Sequence, residues 1–401
     1  MRLDEIGIDD RIVKILARKK ITKLYPPQED SLKYVLEGKS TVLAVPTASG
    51  KSLVAYIAIL KAVLEGQKTL YIVPLRALAS EKFEDLKEFE ELGIKVGKTV
   101  GDFDAPEQKL KDLDIIVATS ERADSLLRHK SDWMYDIGVV VADEIHLIND
   151  PRRGPTLEVT LVRLKDINPH AQFIALSATI KNSIELADWL DAKHIQSDWR
   201  PVELKNGIFF EDSIFFTDDT VRSIEDAGEA ITSLVLDTVA DKGQILVFVN
   251  TRRSSESVAE RVSKKISEQL TQTEIKSLKQ IATRLERSGE EPTTVGARLA
   301  RCIEGGAAFH NAGLTDVQRK TIEDNFRERK IKCIVATPTL AAGINLPARR
   351  VVVRDLRRYD VNYGNVFIPV LEAKQMCGRA GRPQFDPFGE AVLMARKKRD
   401  I

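Results

Sequence analysis

The chain has 401 residues, of which 43% are hydrophobic and 30% charged, the make-up of a soluble protein with about two or three domains. Its 61 basic and 60 acidic side chains leave a net charge of +1, which excludes a global field for a polyanion and confines any nucleic-acid site to a local stripe. Cys302, Cys333 and Cys377 share no C-x-x-C spacing, which excludes a zinc or redox-dithiol motif, and no apolar run approaches the roughly 20 residues of a membrane helix. With a charged start and no signal region, the chain reads as reduced, soluble and cytoplasmic, without membrane association.

In chain order, apolar runs at residues 41–45, 69–73, 114–118, 138–142 and 173–176 predict strands. Helical periodicity lies between them at 52–65, 75–92 and 156–165. Strands with little alternation, separated by helices, imply a parallel sheet covered on both faces. The βαβ rule then makes this a doubly wound α/β domain. Near 198–207 the pattern breaks, and Trp199-Arg200-Pro201 with Asn206-Gly207 predicts a crossing linker. A second series follows, with strands expected at 244–249, 307–309, 332–336 and 350–353. The charged stretch 252–302 reads as a helical insertion on the second sheet. The expected architecture is thus two tandem doubly wound parallel-sheet domains, residues 1–200 and 201–401, with a cleft between them, a usual place for a ligand.

Two segments carry chemistry. After the first strand comes Val45-Pro46-Thr47-Ala48-Ser49-Gly50-Lys51-Ser52, and then a helix. A tight loop at a helix N-terminus aims several N–H groups at one point, which suits a phosphate. Gly50 lets the backbone approach, Lys51 adds a charge for the β and γ phosphates, and the Ser52 hydroxyl can ligate Mg²⁺. Val45 stands where the strict phosphate-loop pattern has glycine, and a Gly-Lys-Ser triplet alone fits an ordinary strand-to-helix turn. The fourth strand ends in Asp143-Glu144-Ile145-His146. Carboxylates at the carboxyl end of a parallel strand face the ligand crevice. There Asp143 can hold Mg²⁺ and Glu144 can polarise an attacking water, whereas an isolated Asp-Glu would be a solvated acidic loop. His146 fits either a nucleotide sensor or a strand cap.

Asp143-Glu144-Ile145-His146 with the Lys51 loop resembles the first RecA-like domain of superfamily 2 DExH-box helicases. Further segments resemble the other motifs of that family, in order: Tyr25-Pro26-Pro27-Gln28, Pro74-Leu75-Arg76-Ala77-Leu78, Ala118-Thr119-Ser120-Glu121-Arg122, Ser177-Ala178-Thr179, Val247-Phe248-Val249-Asn250-Thr251, the run from Ala336 to Pro347, and Gln375-Met376-Cys377-Gly378-Arg379-Ala380-Gly381-Arg382. Arg153-Gly154-Pro155-Thr156-Leu157-Glu158 and Asp198-Trp199-Arg200-Pro201-Val202-Glu203-Leu204 narrow the resemblance to the archaeal Hjm-type DNA repair helicases, relatives of the polymerase theta helicase domain.

The resemblance implies two RecA-like domains that hydrolyse ATP with Mg²⁺ and move 3′-to-5′ along single-stranded or forked DNA in repair or replication-fork processing, acting as a monomer. It assigns the nucleotide to Gln28, Pro46, Thr47, Ala48, Ser49, Gly50, Lys51, Ser52 and Gly343, with Gln28 reading the adenine edge. The metal falls to Ser52 and Asp143, and catalysis to Glu144, Gln375, Arg379 and Arg382. Arg379 and Arg382 would be arginine fingers, facing one way if their stretch is helical. Coupling falls to His146, Ser177 and Thr179, and strand contact to Arg76, Thr119, Thr251, His310, Thr337 and Tyr363. The alternative for those hydroxyls is ordinary loop capping. A Gly364-Asn365 turn between apolar runs predicts a hairpin at about 359–370, which in the family pries the duplex apart. Family members continue into winged-helix and ratchet domains, so this chain is expected to be a fragment whose unwinding is weakened or absent. An RNA helicase of related build and a nucleotide-gated clamp are the rival expectations. A simple kinase or GTPase would need no paired arginines, and the Asn-Lys-x-Asp guanine signature is absent.

Overall fold

The structure, a computed structural model, describes residues 1–101, 107–129, 131–287, 293–340, 346–360, 363–383 and 385–395. Gly343, with the rest of 341–345, the 361–362 pair and the last six residues lie outside the described residues. The chain forms two compact units, Met1–Pro201 and Val202–Ile401.

The first unit runs α1 (Asp10–Arg18), α2 (Pro26–Val35), β1 (Thr41–Ala44), α3 (Lys51–Leu64), β2 (Lys68–Val73), α4 (Arg76–Lys87), β3 (Val96–Thr99), α5 (Glu107–Leu110), β4 (Ile115–Thr119), α6 (Ser120–Arg128), β5 (Ile137–Ala142), α7 (Gly154–Ile167), β6 (Gln172–Ser177), α8 (Ser183–Leu190) and β7 (Lys193–Gln196). Its seven strands lie in the order β3-β4-β2-β5-β6-β1-β7, and every neighbouring pair is parallel. Alternate residues enter opposite cores. Leu43, Tyr71, Val73, Val139 and Val141 pack with α3 and α4, while Val42, Leu70, Ile72, Val140 and Ala142 pack with α6, α7 and α8. Both faces are apolar because both are covered, which is why these strands show no polar alternation.

The second unit runs β8 (Glu203–Phe210), β9 (Ser213–Phe216), β10 (Val221–Ser223), α9 (Ala230–Ala240), β11 (Ile245–Phe248), α10 (Arg252–Ser267), α11 (Gln272–Arg287), α12 (Thr294–Glu304), β12 (Ala307–His310), α13 (Asp316–Arg327), β13 (Cys333–Ala336), β14 (Arg350–Val353), β15 (Arg357–Asp360), β16 (Gly364–Phe367), α14 (Val370–Cys377) and β17 (Phe388–Met394). The sheet order is β10-β9-β8-β17-β14-β11-β13-β12, parallel from β8 to β12 with an antiparallel β8-β9-β10 edge. The fold is therefore α/β, built on two parallel-sheet units of the RecA-like kind.

Three expectations change here. Asn206 and Gly207 lie inside β8, not in a linker; a Cβ on Gly207 would sit 2.7 Å from Ile214 Cγ2, so the glycine serves close strand packing. The hairpin exists as β15 with β16, but Gly364 and Asn365 are strand residues and not its turn. The stretch 379–382 is not helical, because α14 stops at Cys377 with Gly378 as its C-cap.

Candidate active site

The loop after β1 is held in a strained form. Ala48 and Gly50 both have positive φ, 67° and 73°. Gly50 caps α3 without a side chain, leaving the first N–H groups of that helix for a ligand. The Ser49 hydroxyl donates to the Pro46 carbonyl at 2.7 Å and closes the loop on itself. A Cβ on Gly50 would lie 2.4 Å from Gln28 Nε2. The reason is that Gln28 donates to the Gly50 carbonyl at 2.8 Å while its Oε1 accepts the Tyr25 N–H at 2.8 Å. One N–H and one lone pair of the Gln28 amide are thus engaged with protein, and Gln28 braces the phosphate loop.

β6 lies between β1 and β5 in the sheet, so the loop at Lys51 and the acidic pair at Asp143 and Glu144 flank the end of β6, where Ser177 sits. The Lys51 ammonium donates to Glu144 Oε1 at 3.0 Å. Glu144 adopts a left-handed φ of 52°, and its N–H donates to Asp143 Oδ1 at 2.9 Å. The Tyr71 hydroxyl donates to Asp143 Oδ2 at 2.8 Å and also touches Ser52. Lys82, on α4, donates to Ser52 Oγ at 3.2 Å and to Glu81 Oε1 at 3.2 Å.

Asp143 is buried, and burial pushes its carboxyl pKa above the ordinary value; Glu144 adds to the rise, while Lys82, Lys51 and the Tyr71 hydrogen bond oppose it. The net upward direction marks a carboxylate whose charge the lysines do not fully compensate. A hydroxyl and such a carboxylate are hard oxygen donors, so Ser52 and Asp143 fit a Mg²⁺ ion. Lys82 is buried too. Burial pushes its pKa down, but Asp143, Glu81 and Asp85 outweigh that and the net direction is up.

His146 Nδ1 accepts the Ala178 N–H at 3.2 Å, and its Nε2 lies 3.3 Å from Glu144 Oε2. Burial lowers the pKa of His146, so the ring is neutral, with Nδ1 as acceptor and its proton on Nε2 toward Glu144. The imidazole therefore bridges the acidic pair and the 177–179 segment. Ser177 Oγ donates to the Ala178 carbonyl at 2.8 Å, and Thr179 Oγ1 is buried with no partner among the described residues.

The candidate strand contacts group at carboxyl strand ends. In the first unit Thr119 is in register with Val73, the end of the strand that leads to exposed Arg76. In the second, Phe248, Ala336 and His310 are in register, so Thr251, Thr337 and His310 share one sheet edge. Thr119 and Thr251 each accept a backbone N–H as helix caps, at 3.4 Å and 3.0 Å. Thr337 Oγ1 lies 2.9 Å from Thr339 Oγ1. His310 is buried, with Nε2 3.0 Å from Glu323 and Nδ1 without a partner among the described residues. Tyr363 is 80% exposed.

Arg379 and Arg382 lie at the opposite, amino edge of that sheet. The Arg379 carbonyl accepts the Ala348 N–H just before β14, and Arg382 Nη1 donates to Gln244 Oε1 at 2.6 Å just before β11. Arg382 also donates to both Asp386 carboxylate oxygens, at 2.7 and 2.6 Å. It is buried, and within its own unit the guanidinium is held by Asp386 and Gln244. Gln375 sits half-buried on α14.

Lys82 and Tyr71 escaped the sequence reasoning. Tyr71 lies within an apolar strand run and looks like core. Lys82 sits on α4 six residues beyond Arg76, in a pattern that reads as a solvated helix face; only folding turns it toward Ser52.

Residues 25–187 match the DEAD/DEAH box helicase family, and residues 294–384 match the helicase conserved C-terminal domain. The chain is 50% identical over 403 residues to an ATP-dependent DNA helicase Hel308 of Methanocella arvoryzae, covering 99% of this chain and 54% of the relative. It is 47% identical to a protein of the same description from Pyrococcus horikoshii (98% and 54%) and 44% identical to one from Pyrobaculum calidifontis (99% and 56%). The chain therefore spans about half the length of the curated relatives it matches.

Proposed function

The chain belongs to the superfamily 2 DExH-box helicases of the archaeal Hel308 type, and from that premise we propose that it acts as the ATP-hydrolysing motor of a DNA helicase, moving 3′-to-5′ on single-stranded or forked DNA in repair or fork processing. The observation that carries the reading is the convergence of Lys51, Ser52, Asp143 and Glu144 at the carboxyl ends of β1 and β5.

The loop Pro46, Thr47, Ala48, Ser49 and Gly50 turns its N–H groups to the phosphates, with Lys51 as counter-charge. Ser52 and Asp143 would hold Mg²⁺, which when bound would neutralise charge developing on the phosphates. When Lys51 swings from Glu144 to the phosphates, Glu144 Oε1 is released to orient the attacking water and take its proton. His146, hydrogen-bonded toward both Glu144 and Ala178, relays that change to Ser177 and Thr179. Gln375, Gly343 and Arg379 are assigned to the nucleotide by family resemblance, with Arg379 supplying the transition-state cation. Arg76 with Thr119, and Thr251 with Thr337 and His310, form two grips on one strand backbone, with Tyr363 stacking on a base.

The test is ATP turnover with Mg²⁺, with and without single-stranded DNA. Turnover should rise with DNA and vanish in Glu144→Gln, which still binds nucleotide. Equal turnover with and without DNA would overturn the motor reading. A stronger response to RNA of equal sequence would move the substrate from DNA to RNA.

A further inference from the structure

Lys82 is 6% exposed, and an ammonium is rarely buried unless it is paired. Its Nζ reaches Ser52 Oγ at 3.2 Å, and Asp143 is the strongest of the carboxylates acting on its charge. Asp143 and Ser52 meet again on the Tyr71 hydroxyl, so Lys82 and Tyr71 both lie against the oxygen pair assigned above to the metal. The ammonium also has Glu81 Oε1 at 3.2 Å, a carboxylate that belongs to its own helix and not to the metal pair. An ammonium displaced from Ser52 therefore keeps Glu81 as a partner.

We propose that Lys82 competes with divalent cations for the Ser52 and Asp143 oxygens, so that free metal is excluded and metal binds only together with a nucleotide. The ammonium is a charge of the same sign as the metal, within hydrogen-bond reach of one assigned ligand and in the field of the other. In a water-poor pocket the two cations repel strongly. A bare ion brings too little binding energy to displace Lys82 toward Glu81. A metal–nucleotide brings phosphate contacts to the loop and to Lys51, and these complete the displacement. Lys82 is a positioning residue in this scheme; it touches the ligands and not the reacting atoms. The proposal rests on the assignment of Ser52 and Asp143 as metal ligands.

The experiment titrates Mn²⁺ into the full chain and reads free Mn²⁺ by electron paramagnetic resonance, first without nucleotide and then with ADP. Lys82→Met should bind Mn²⁺ without nucleotide at least about tenfold more tightly than the parent chain. Lys82→Arg should restore exclusion, and adding Asp143→Asn to Lys82→Met should abolish the new site. Unchanged nucleotide-free Mn²⁺ binding in a folded Lys82→Met chain overturns the proposal. Should Lys82→Met not fold, Glu81→Gln serves instead. Without its alternative carboxylate the ammonium stays on the metal pair, so Mn²⁺ affinity with ADP should fall about threefold while metal-free ADP affinity holds; no fall overturns the proposal. Asp143→Asn alone separates the two levels. If it leaves Mn²⁺–ADP affinity unchanged, the ligand assignment itself is wrong; if it weakens it while Lys82→Met behaves as the parent, only the role of Lys82 fails.

Discussion

The Lys51 ammonium and Glu144 Oε1 stand 3.0 Å apart, so the cation assigned to the phosphates and the carboxylate assigned to the water hold each other. Glu144→Gln should cut single-turnover hydrolysis at least about 100-fold, the scale of lost general-base catalysis, with nucleotide affinity retained. Lys51→Ala should instead weaken nucleotide binding about tenfold or more, the worth of one charged hydrogen bond. A fluorescent-nucleotide titration beside a quench-flow measurement separates the two. Normal turnover in Glu144→Gln would remove Glu144 from the chemistry.

Gly50→Ala meets two obstacles, a φ of 73° and Gln28 Nε2 at 2.4 Å from the added carbon. The variant should lose about 1–2 kcal/mol of stability through the left-handed backbone alone. It should also lose nucleotide binding, because the Gln28 brace cannot stay in place. Thermal melting with and without ADP checks both; a stable variant with parental affinity would show that the loop tolerates rearrangement.

His146 has a pKa lowered by burial below its ordinary 6.5. The unfolded chain therefore binds this proton more readily than the folded one. The linked stability is present above about pH 6.5 and is lost as the pH falls below it, down to the lowered folded pKa. Between pH 7.5 and pH 5 the parent chain should lose more stability than His146→Gln, which has no ring to protonate. Identical melting-temperature slopes in the two proteins would mean that folding does not shift the His146 pKa.

The two arginines of the 375–382 segment should separate. Arg382→Ala leaves Asp386 and Gln244 buried without their partner and should destabilise the chain by about 3 kcal/mol. Arg379→Ala should lower turnover by roughly 1,000-fold, as expected of an arginine finger. Loss of turnover in Arg382→Ala at unaltered stability would support a finger role for Arg382 as well.

Tyr359 and Tyr363 are 78% and 80% exposed on the hairpin. Replacing either with Ala should change stability by less than about 0.5 kcal/mol. If they stack on bases, single-strand affinity should fall by about 1 kcal/mol or more per ring. Fluorescence anisotropy with a labelled strand measures this, and unchanged affinity leaves the rings without a stacking role.

The amino-acid order by itself determined where β1, β2, β4, β5, β6, β11, β12, β13 and β14 run, and that Lys51 and Asp143 follow apolar strands; β3, β7, β8 and β17 emerged only in the fold. Those features are local: unbroken apolar runs report burial on both sides, and a glycine before Lys51 reports a tight turn. Tertiary structure alone decided the rest. It brought β17 beside β8 across nearly the whole second unit, which put Gly207 in a strand and not a linker. It turned Lys82 from an apparent helix face toward Ser52, and committed Gln28 to Gly50 and Arg382 to Asp386. A polar side chain takes its partner from whatever the fold carries past it, and that neighbour is set by strand order and helix packing, neither of which is written in the residues on either side.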